Sequence, residues 1–209
     1  MAGNKLFVDT NILVYANTTN SPFCTMARNK LKSAFQTYDS VWISNQVMRE
    51  YLSSMTKIML SVGKVDYQSL AKDIHNFENN FQLAPDNSNI IKSLLTLIEQ
   101  TKTAWKQVHD ANIVATMLES DIQTILTNNI ADFQRFGQWI HIEPLQWDAT
   151  IAFQLFSAPT KSFARDSNGT KTESPSSILL FTSFFPIFVN IENKKSRDEL
   201  HSRTDRHGT

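Results

Sequence analysis

The chain has 209 residues, and its 20 lysines and arginines balance its 20 aspartates and glutamates, so the formal net charge is zero. Proteins that bind nucleic acid through a broad basic surface carry a basic excess, which this chain lacks. A nucleic-acid ligand would therefore have to be held by a local patch, by metal ions or with the help of a partner protein.

The first predicted element is a short buried strand that ends in an acid. Leu6, Phe7 and Val8 form an apolar run, and Asp9 follows at once. Burying an unpaired carboxylate is unfavourable in free energy. The position of Asp9 is explained if the end of the strand opens into a crevice where the acid binds a ligand. Further along, the serine-proline start of SPFCTMARNKLKSAF predicts a helix with Ser21 as its N-cap.

The next predicted unit is a strand that leads into a helix. SVWIS, residues 40–44, is the strand, and NQVMREYLSSMTKIML is a helix with an apolar stripe. Glu50 lies beside that stripe, near the start of the helix. Two more amphipathic helices follow in DYQSLAKDIHNFENNF and DNSNIIKSLLTLIEQTK, with a strand and turn in FQLAPDN between them.

The densest part of the sequence is VHDANIVATMLESDIQTILTNNIADFQRFGQWIHIEPL. It predicts a helix from about His109 to Glu119, a strand DIQTILT, a polar turn NNIAD and a closing strand WIHIEP. Short strands that alternate with helices are typical of a three-layer α/β/α domain with a central parallel sheet. We expect this domain to occupy residues 1–147.

Residues 148–209 are predicted to form a linker and a C-terminal extension of unknown role. The stretch SAPTKSFARDSNGTKTESPSS is polar and rich in serine and threonine. The apolar run Ile178 to Val189 follows, and it is shorter than the roughly 18 to 20 residues that span a bilayer. Cys24 is the single cysteine and cannot form an intramolecular disulfide, which favours a reducing compartment. Since the start also lacks a signal-peptide layout, we expect a cytoplasmic protein without a membrane segment.

Three acids are predicted to meet at one edge of the sheet. Asp9 follows the first strand, Glu50 lies near the start of the helix after the second, and Asp110 lies at the start of a late helix. Strand ends and helix starts of this kind share the edge of a parallel sheet where ligands bind. Clustered carboxylates repel one another, and a hard divalent cation such as Mg²⁺ or Mn²⁺ relieves that repulsion. Taken singly, each acid also has a plain interpretation as a cap, a solvated helix residue or a first-turn acid.

These residues also carry a family resemblance. LFVDTNILVYA is similar to the start of a PIN domain, the nuclease domain of VapC-type toxins, and SNQVMREYL resembles its second motif. VHDANIVATMLESDIQTILTNNIADFQRF resembles the third and fourth motifs together, so the resemblance covers roughly residues 5–145. It implies an α/β/α fold and a metal-dependent endoribonuclease, the toxin of a type II toxin–antitoxin pair. It further implies a small antitoxin partner and a homodimer.

The resemblance also implies roles for individual residues. Asp9 and Asp110 would hold Mg²⁺ or Mn²⁺, and Glu50 would bind metal-coordinated water or orient the nucleophile. Groups that hold these carboxylates in place are expected at Asn11, Thr127 and Asn128. Many members carry a fourth acid in the last motif, where this chain has Asn129; Asp132 is the nearest carboxylate. Asn129 and Asp132 are therefore both candidates for the fourth catalytic position, and the number of metal ions stays open.

Other interpretations remain at this stage. A catalytically silent PIN-like module that binds RNA or a protein would account for the missing fourth acid. A phosphatase of the haloacid dehalogenase type needs a second aspartate two residues after the first, where this chain has Asn11. His109 adjoins Asp110, but neighbouring residues on a helix point about 100° apart, so a catalytic role for it is not expected. Trp105 and Lys106 are expected in a core or surface role rather than in contact with substrate.

Overall fold

The computed structural model describes residues 3–145, so the predicted extension over residues 148–209 lies outside the described residues. The first half of the domain alternates strands with pairs of helices, in the order β1 (Lys5–Val8), α1 (Thr10–Asn17), α2 (Cys24–Thr37), β2 (Ser40–Ile43), α3 (Asn45–Ser61) and α4 (Tyr67–Asn80). The second half continues with β3 (Gln82–Leu83), α5 (Ser88–Thr101), α6 (Gln107–Glu119), β4 (Thr124–Thr127), α7 (Ile130–Phe133), a 3₁₀ turn (Gln134–Phe136) and β5 (His141–Pro144).

Within residues 3–145 the strands form one five-stranded sheet in the order β3-β2-β1-β4-β5. Every pairing in it is parallel; Phe7, for example, lies between Trp42 of β2 and Ile125 of β4. The chain moves outward from β1 to β3 and then returns to the other side of β1. With right-handed crossovers, this reversal places helices on both faces of the sheet. The predicted α/β/α architecture is therefore confirmed, and the reversal between β1 and β4 marks the place where ligands bind in such sheets.

The core lies around the two central strands and α6. Leu6, Phe7 and Val8 of β1 are completely buried, as parallel strands covered on both faces require. Helix α6 is apolar on more than one side, and its buried residues include Ala111, Ile113, Val114, Ala115 and Met117. A helix of this kind is surrounded by protein rather than lying on the surface. The core therefore fixes the start of α6, which carries Asp110, against the sheet.

Several helices begin where a polar side chain caps them. Asp9, Ser44, Asp66 and Asn87 each accept a backbone N–H in the first turn of α1, α3, α4 and α5. Such caps satisfy backbone donors that have no partner within the helix. At two of these caps, Asp9 and Ser44, the helix begins directly beyond the carboxyl end of a strand.

The structure differs from the sequence-based expectations in several places. Strands β4 and β5 are shorter than the predicted DIQTILT and WIHIEP. Helix α2 begins at Cys24 rather than beside Ser21, because Ser21 forms a preceding turn in which its hydroxyl accepts the Phe23 N–H. The residues after Asp9 form a helix, α1, that the pattern had not revealed. The expected polar turn over residues 128–132 contains most of the short helix α7. Within residues 3–145, no helix is both long enough and apolar enough to cross a membrane.

A buried polar pair joins α3 to α4. The Tyr51 hydroxyl donates to Asp73 Oδ2 at 2.5 Å, and both residues are buried. Burial raises the pKa of Asp73, against the hydrogen bond from Tyr51. The Tyr51 ring also packs edge-on against Phe77 of α4.

We predict that Tyr51→Phe lowers the free energy of unfolding by about 1–3 kcal/mol at neutral pH, because it leaves a buried carboxylate without its donor. The loss should shrink as the pH falls, since Asp73 then takes up a proton and no longer needs to be stabilised as an anion. Urea unfolding followed by circular dichroism measures both effects. Tyr67→Phe is the matched control, because Tyr67 is 74% exposed, and it should shift the value by less than about 0.5 kcal/mol. An unchanged stability of Tyr51→Phe at neutral pH would contradict the prediction.

Candidate active site

A polar cleft lies at the carboxyl ends of β1 and β4, where the strand order reverses. Its volume is about 450 Å³. Five of the residues singled out in the sequence are in its lining: Asp9, Asn11, Glu50, Asp110 and Asn129. They come from the starts of α1, α6 and α7 and from the first half of α3. The fold therefore brings together acids that are more than 100 residues apart in the chain.

Asp9 is buried, with 7% of its surface exposed, and each carboxylate oxygen has protein partners. Oδ1 accepts the Thr10 N–H at 2.7 Å, which caps α1. Oδ2 accepts the Thr127 hydroxyl at 2.6 Å and the Asn11 side-chain amide at 2.5 Å. The carboxylate is therefore both a helix cap and the centre of a hydrogen-bond network.

The environment of Asp9 nevertheless raises the pKa of its carboxyl. Burial raises the pKa of Asp9 to about 6, and the negative charge of Glu50 acts in the same direction. The hydrogen bonds from Thr127, Thr10 and Asn11 oppose this shift but do not cancel it. A positive charge in the cleft would lower the pKa of Asp9 again and stabilise its carboxylate.

Thr127 joins the two central strands at the site. Its hydroxyl accepts the Asn11 side-chain amide at 3.1 Å and the Asn129 backbone N–H at 2.9 Å, so its own proton is directed to Asp9. Asn11 Oδ1 in turn accepts the Asn128 backbone N–H at 3.1 Å. These contacts place Asn11, Thr127 and Asn128 where the sequence predicted supporting groups, with Asn128 contributing through its backbone.

Glu50 is oriented by partners that sequence reasoning missed. The Thr10 hydroxyl donates to Glu50 Oε2 at 2.9 Å, and the Gln46 side-chain amide donates to Oε1 at 2.7 Å. Gln46 is itself buried and also contacts α6: its amide donates to the His109 carbonyl at 3.0 Å, and its Oε1 accepts the Asn112 amide at 2.6 Å. The available signal was spacing, because residues four apart share one face of a helix.

Asp110 lies half-buried in the first turn of α6. Burial is the largest cause that raises its pKa, to about 6, and the charges of Asp132, Asp9 and Glu50 follow in that order. The neighbouring His109 acts in the opposite direction. Asp110 therefore lies within electrostatic range of the other three acids. His109 itself is exposed.

The two candidates for the fourth catalytic position are in contact with each other. Asn129 lines the cleft, and its side-chain amide donates to Asp132 Oδ2. Asp132 lies in α7 and is partly exposed. The Asn129 side chain therefore lies in the cleft. The Asp132 carboxylate lies beside it and is close enough to Asp110 for its charge to affect the pKa of Asp110.

The donor set can be tested against a divalent cation. Within residues 3–145, no group of three or more histidine, cysteine, aspartate or glutamate side chains forms a ready-made metal site. Mg²⁺, however, is commonly held by one or two carboxylates and several waters. Asp9 and Asp110 provide two hard oxygen donors whose mutual repulsion a cation would relieve. The residues present are therefore compatible with a water-rich site of that kind.

Comparison with known proteins agrees with this architecture. The PIN domain family matches residues 6–138 of the chain. No curated protein sequence matches it. Among solved structures, VapBC2 from Rickettsia felis bound to a DNA fragment from its promoter is 20% identical, with a TM-score of 0.51, and the match covers 69% of this chain and 99% of that one. DNA-bound VapBC from Salmonella typhimurium is 14% identical, with a TM-score of 0.52 and coverage of 68% and 98%. Since the family match spans well over half of its residues, the chain belongs to the PIN domain family.

Proposed function

We propose that this protein is a divalent-metal-dependent endoribonuclease that hydrolyses RNA phosphodiester bonds. The observation that carries the proposal is the cleft itself, in which Asp9, Glu50 and Asp110 meet at the strand reversal of a PIN domain. Both aspartates have raised pKa values because they are buried close to other acids. Without a cation, the repulsion and burial of these carboxylates destabilise the folded protein. A catalytic metal site would explain why the fold keeps them together.

The proposed roles follow from the contacts. Asp9 and Asp110 hold Mg²⁺ or Mn²⁺, and Asp9 is fixed in position by Thr127 and Asn11. When bound, such an ion lowers the pKa of water and offsets negative charge on the phosphate oxygens. Glu50, held at both oxygens, orients the attacking water and accepts its proton.

The fourth catalytic position is assigned to a pair rather than to one residue. Asn129 presents a carbonyl or amide group to the cleft, and Asp132 fixes the orientation of that amide. Asn129 is uncharged, so the negative charge at the Asn129 end of the cleft comes from Asp132. This arrangement supports a site with one firmly held cation.

The partner proposals rest on the family and on the resemblance to VapC-type toxins. We assign the protein to the toxin side of a type II toxin–antitoxin pair, with a small antitoxin as its partner, a homodimeric state and a cytoplasmic location. The similarity of fold to two VapBC proteins supports this assignment.

A second candidate function is a catalytically silent PIN domain that binds RNA or a protein. Two observations favour it: Asn129 stands where many members carry an acid, and within residues 3–145 no three ligands form a ready-made metal site. A silent domain need not bind divalent metal, whereas the proposed nuclease must.

The first prediction concerns cleavage of RNA. The purified protein should cut small RNA in Mg²⁺ or Mn²⁺ and not in EDTA. Asp9→Asn and Asp110→Asn should each lower the rate by more than about 100-fold, because loss of a ligand exceeds the effect of losing an outer contact. Gel analysis of labelled RNA measures these rates.

Asp121→Asn provides a matched control for these substitutions. Asp121 precedes β4, at the end of the strand opposite the cleft, and its backbone φ of 54° suits asparagine. Its contact with Lys5 at 3.7 Å is exposed and contributes little to stability. Full activity is expected from this variant. Absence of cleavage by the unmodified protein, together with no calorimetric signal for Mn²⁺ binding, would favour the silent domain.

A pH dependence follows from the raised pKa of Asp110. Because the folded protein holds this proton more tightly than the unfolded chain, the charged carboxylate destabilises the metal-free fold once it ionises. Asp110→Asn should therefore raise the thermal midpoint in EDTA at about pH 8. The difference should shrink as the pH falls below about 6 and vanish only near about pH 2–3, below both pKa values, where the carboxyl is neutral in both states. Mg²⁺ at the higher pH should stabilise the unmodified protein but not the variant. An Asp110→Asn midpoint below that of the unmodified protein at the higher pH would contradict this account.

Gln46 provides a test of how Glu50 is positioned. Gln46→Leu removes the donor to Glu50 Oε1 and the link to α6. We predict a 10- to 100-fold loss of cleavage rate, the range usual for groups that hold a catalytic residue in place, with a smaller change in RNA affinity. Gln68→Leu, on the exposed start of α4, should behave like the unmodified protein. Equal rates for Gln46→Leu and Gln68→Leu would show that Glu50 needs no such support.

A further inference from the structure

The loop between α5 and α6, residues 102–106, carries an exposed tryptophan a short way along the chain from the cleft residue Asp110. Trp105 is 83% exposed, although large aromatic side chains gain most from burial. The loop leads directly into α6, whose first turn carries Asp110. Two backbone steps and one helical turn separate the two residues, so their Cα atoms lie within about 13 Å of each other.

The backbone of this loop is strained in a way that projects Trp105 outward. Lys102 and Trp105 both have φ of 53°, in the left-handed region. A bulky side chain is rare in that region, and strained backbone of this kind is concentrated at functional sites. Asparagine or glycine would occupy position 105 with less strain.

The loop is also firmly anchored. Thr103 is buried, its N–H donates to the Ile98 carbonyl at 3.2 Å, and its hydroxyl lies 2.6 Å from that of Thr101. At the other end, the Val108 N–H donates to the Trp105 carbonyl at 3.0 Å. Trp105 is therefore presented from a fixed position.

The surroundings of Trp105 are basic. Lys106 Nζ lies 4.8 Å from the centre of the indole ring, and Lys102 is exposed in the same loop, whose five residues include no acid. In a chain of zero net charge, this is a local basic and aromatic patch. An aromatic ring with adjacent cations is how proteins bind single-stranded nucleic acid, by stacking on bases and contacting phosphates.

We infer that Trp105 stacks on an unpaired nucleobase of the RNA strand whose phosphodiester lies in the cleft, with Lys102 and Lys106 contacting its phosphates. This inference rests on the proposed nuclease function and adds to it a base-binding residue outside the acid cluster. A base inside a duplex is stacked on both sides and offers no free face, so the contact requires an unpaired base. Exposed tryptophans also serve as protein contacts, but the lysine beside the ring and the short chain distance to Asp110 favour RNA.

The test measures binding separately from cutting. Fluorescence anisotropy with the full-length chain in EDTA compares a short fluorescein-labelled single-stranded RNA with the same sequence as a blunt duplex. Trp105→Asn should weaken binding of the single strand about 10-fold and leave duplex binding unchanged. Its thermal midpoint should be equal to or higher than that of the unmodified protein. Trp105→Phe should keep most of the affinity, and Tyr67→Asn, at an exposed aromatic residue on α4, should keep all of it.

The outcomes separate this inference from the nuclease proposal. If the protein cuts no RNA but Trp105→Asn still selectively loses single-strand affinity, the stacking role stands and the nuclease proposal fails. If metal-dependent cutting is found and Trp105→Asn binds and cuts like the unmodified protein, the stacking role is wrong. A lower thermal midpoint with equal loss of single-strand and duplex binding would make Trp105 structural. A change of oligomeric state in light scattering with unchanged RNA affinity would make it a protein contact; both results overturn the inference.

Discussion

The structure depends on one buried carboxylate at the end of its central strand. Asp9 caps α1, accepts the Thr127 hydroxyl from the neighbouring strand and lies close enough to Glu50 to be affected by its charge. These contacts fix the relative positions of β1, β4 and α1 at the strand reversal. The same burial raises the pKa of Asp9 to about 6. The group that organises the cleft is therefore also one whose ionised form a cation would stabilise.

The acids of the cleft fall into two groups: two carboxylates are fixed by hydrogen bonds, and two interact mainly through electrostatic repulsion. On one side, hydrogen bonds from Thr127, Asn11, Thr10 and Gln46 fix the Asp9 and Glu50 carboxylates. On the other, Asp110 and Asp132 are less buried and interact through their repulsion. Gln46 connects the two groups, because it contacts both Glu50 and the start of α6. A bound cation would act between these groups.

Sequence patterns predicted the sheet and the acids because both depend on local signals. Apolar strands that end in polar residues locate the edge of a parallel sheet, and this was sufficient to bring Asp9, Glu50 and Asp110 together. The support from Gln46 and Asn112 was not predicted, because it depends on the packing of α3 against α6 rather than on a motif. Helix α1 does not follow from the pattern, because an aspartate at a strand end looks the same in sequence whether it binds a ligand or caps a helix; here the Asp9 cap hydrogen bond begins α1. The exposure of Trp105 could not be predicted from the sequence either. Its left-handed backbone conformation is usually signalled by glycine or asparagine, and KTAWK contains neither.

The central claim is that these acids are arranged to hold a divalent cation. The most direct test is to soak crystals of this 209-residue chain in Mn²⁺ and locate the ion in an anomalous difference map. We expect a peak in contact with carboxylate oxygens of both Asp9 and Asp110, the two residues that would hold the ion, with waters as the remaining ligands. A cleft without such a peak at saturating Mn²⁺, or a cation bound only at other residues, would contradict it.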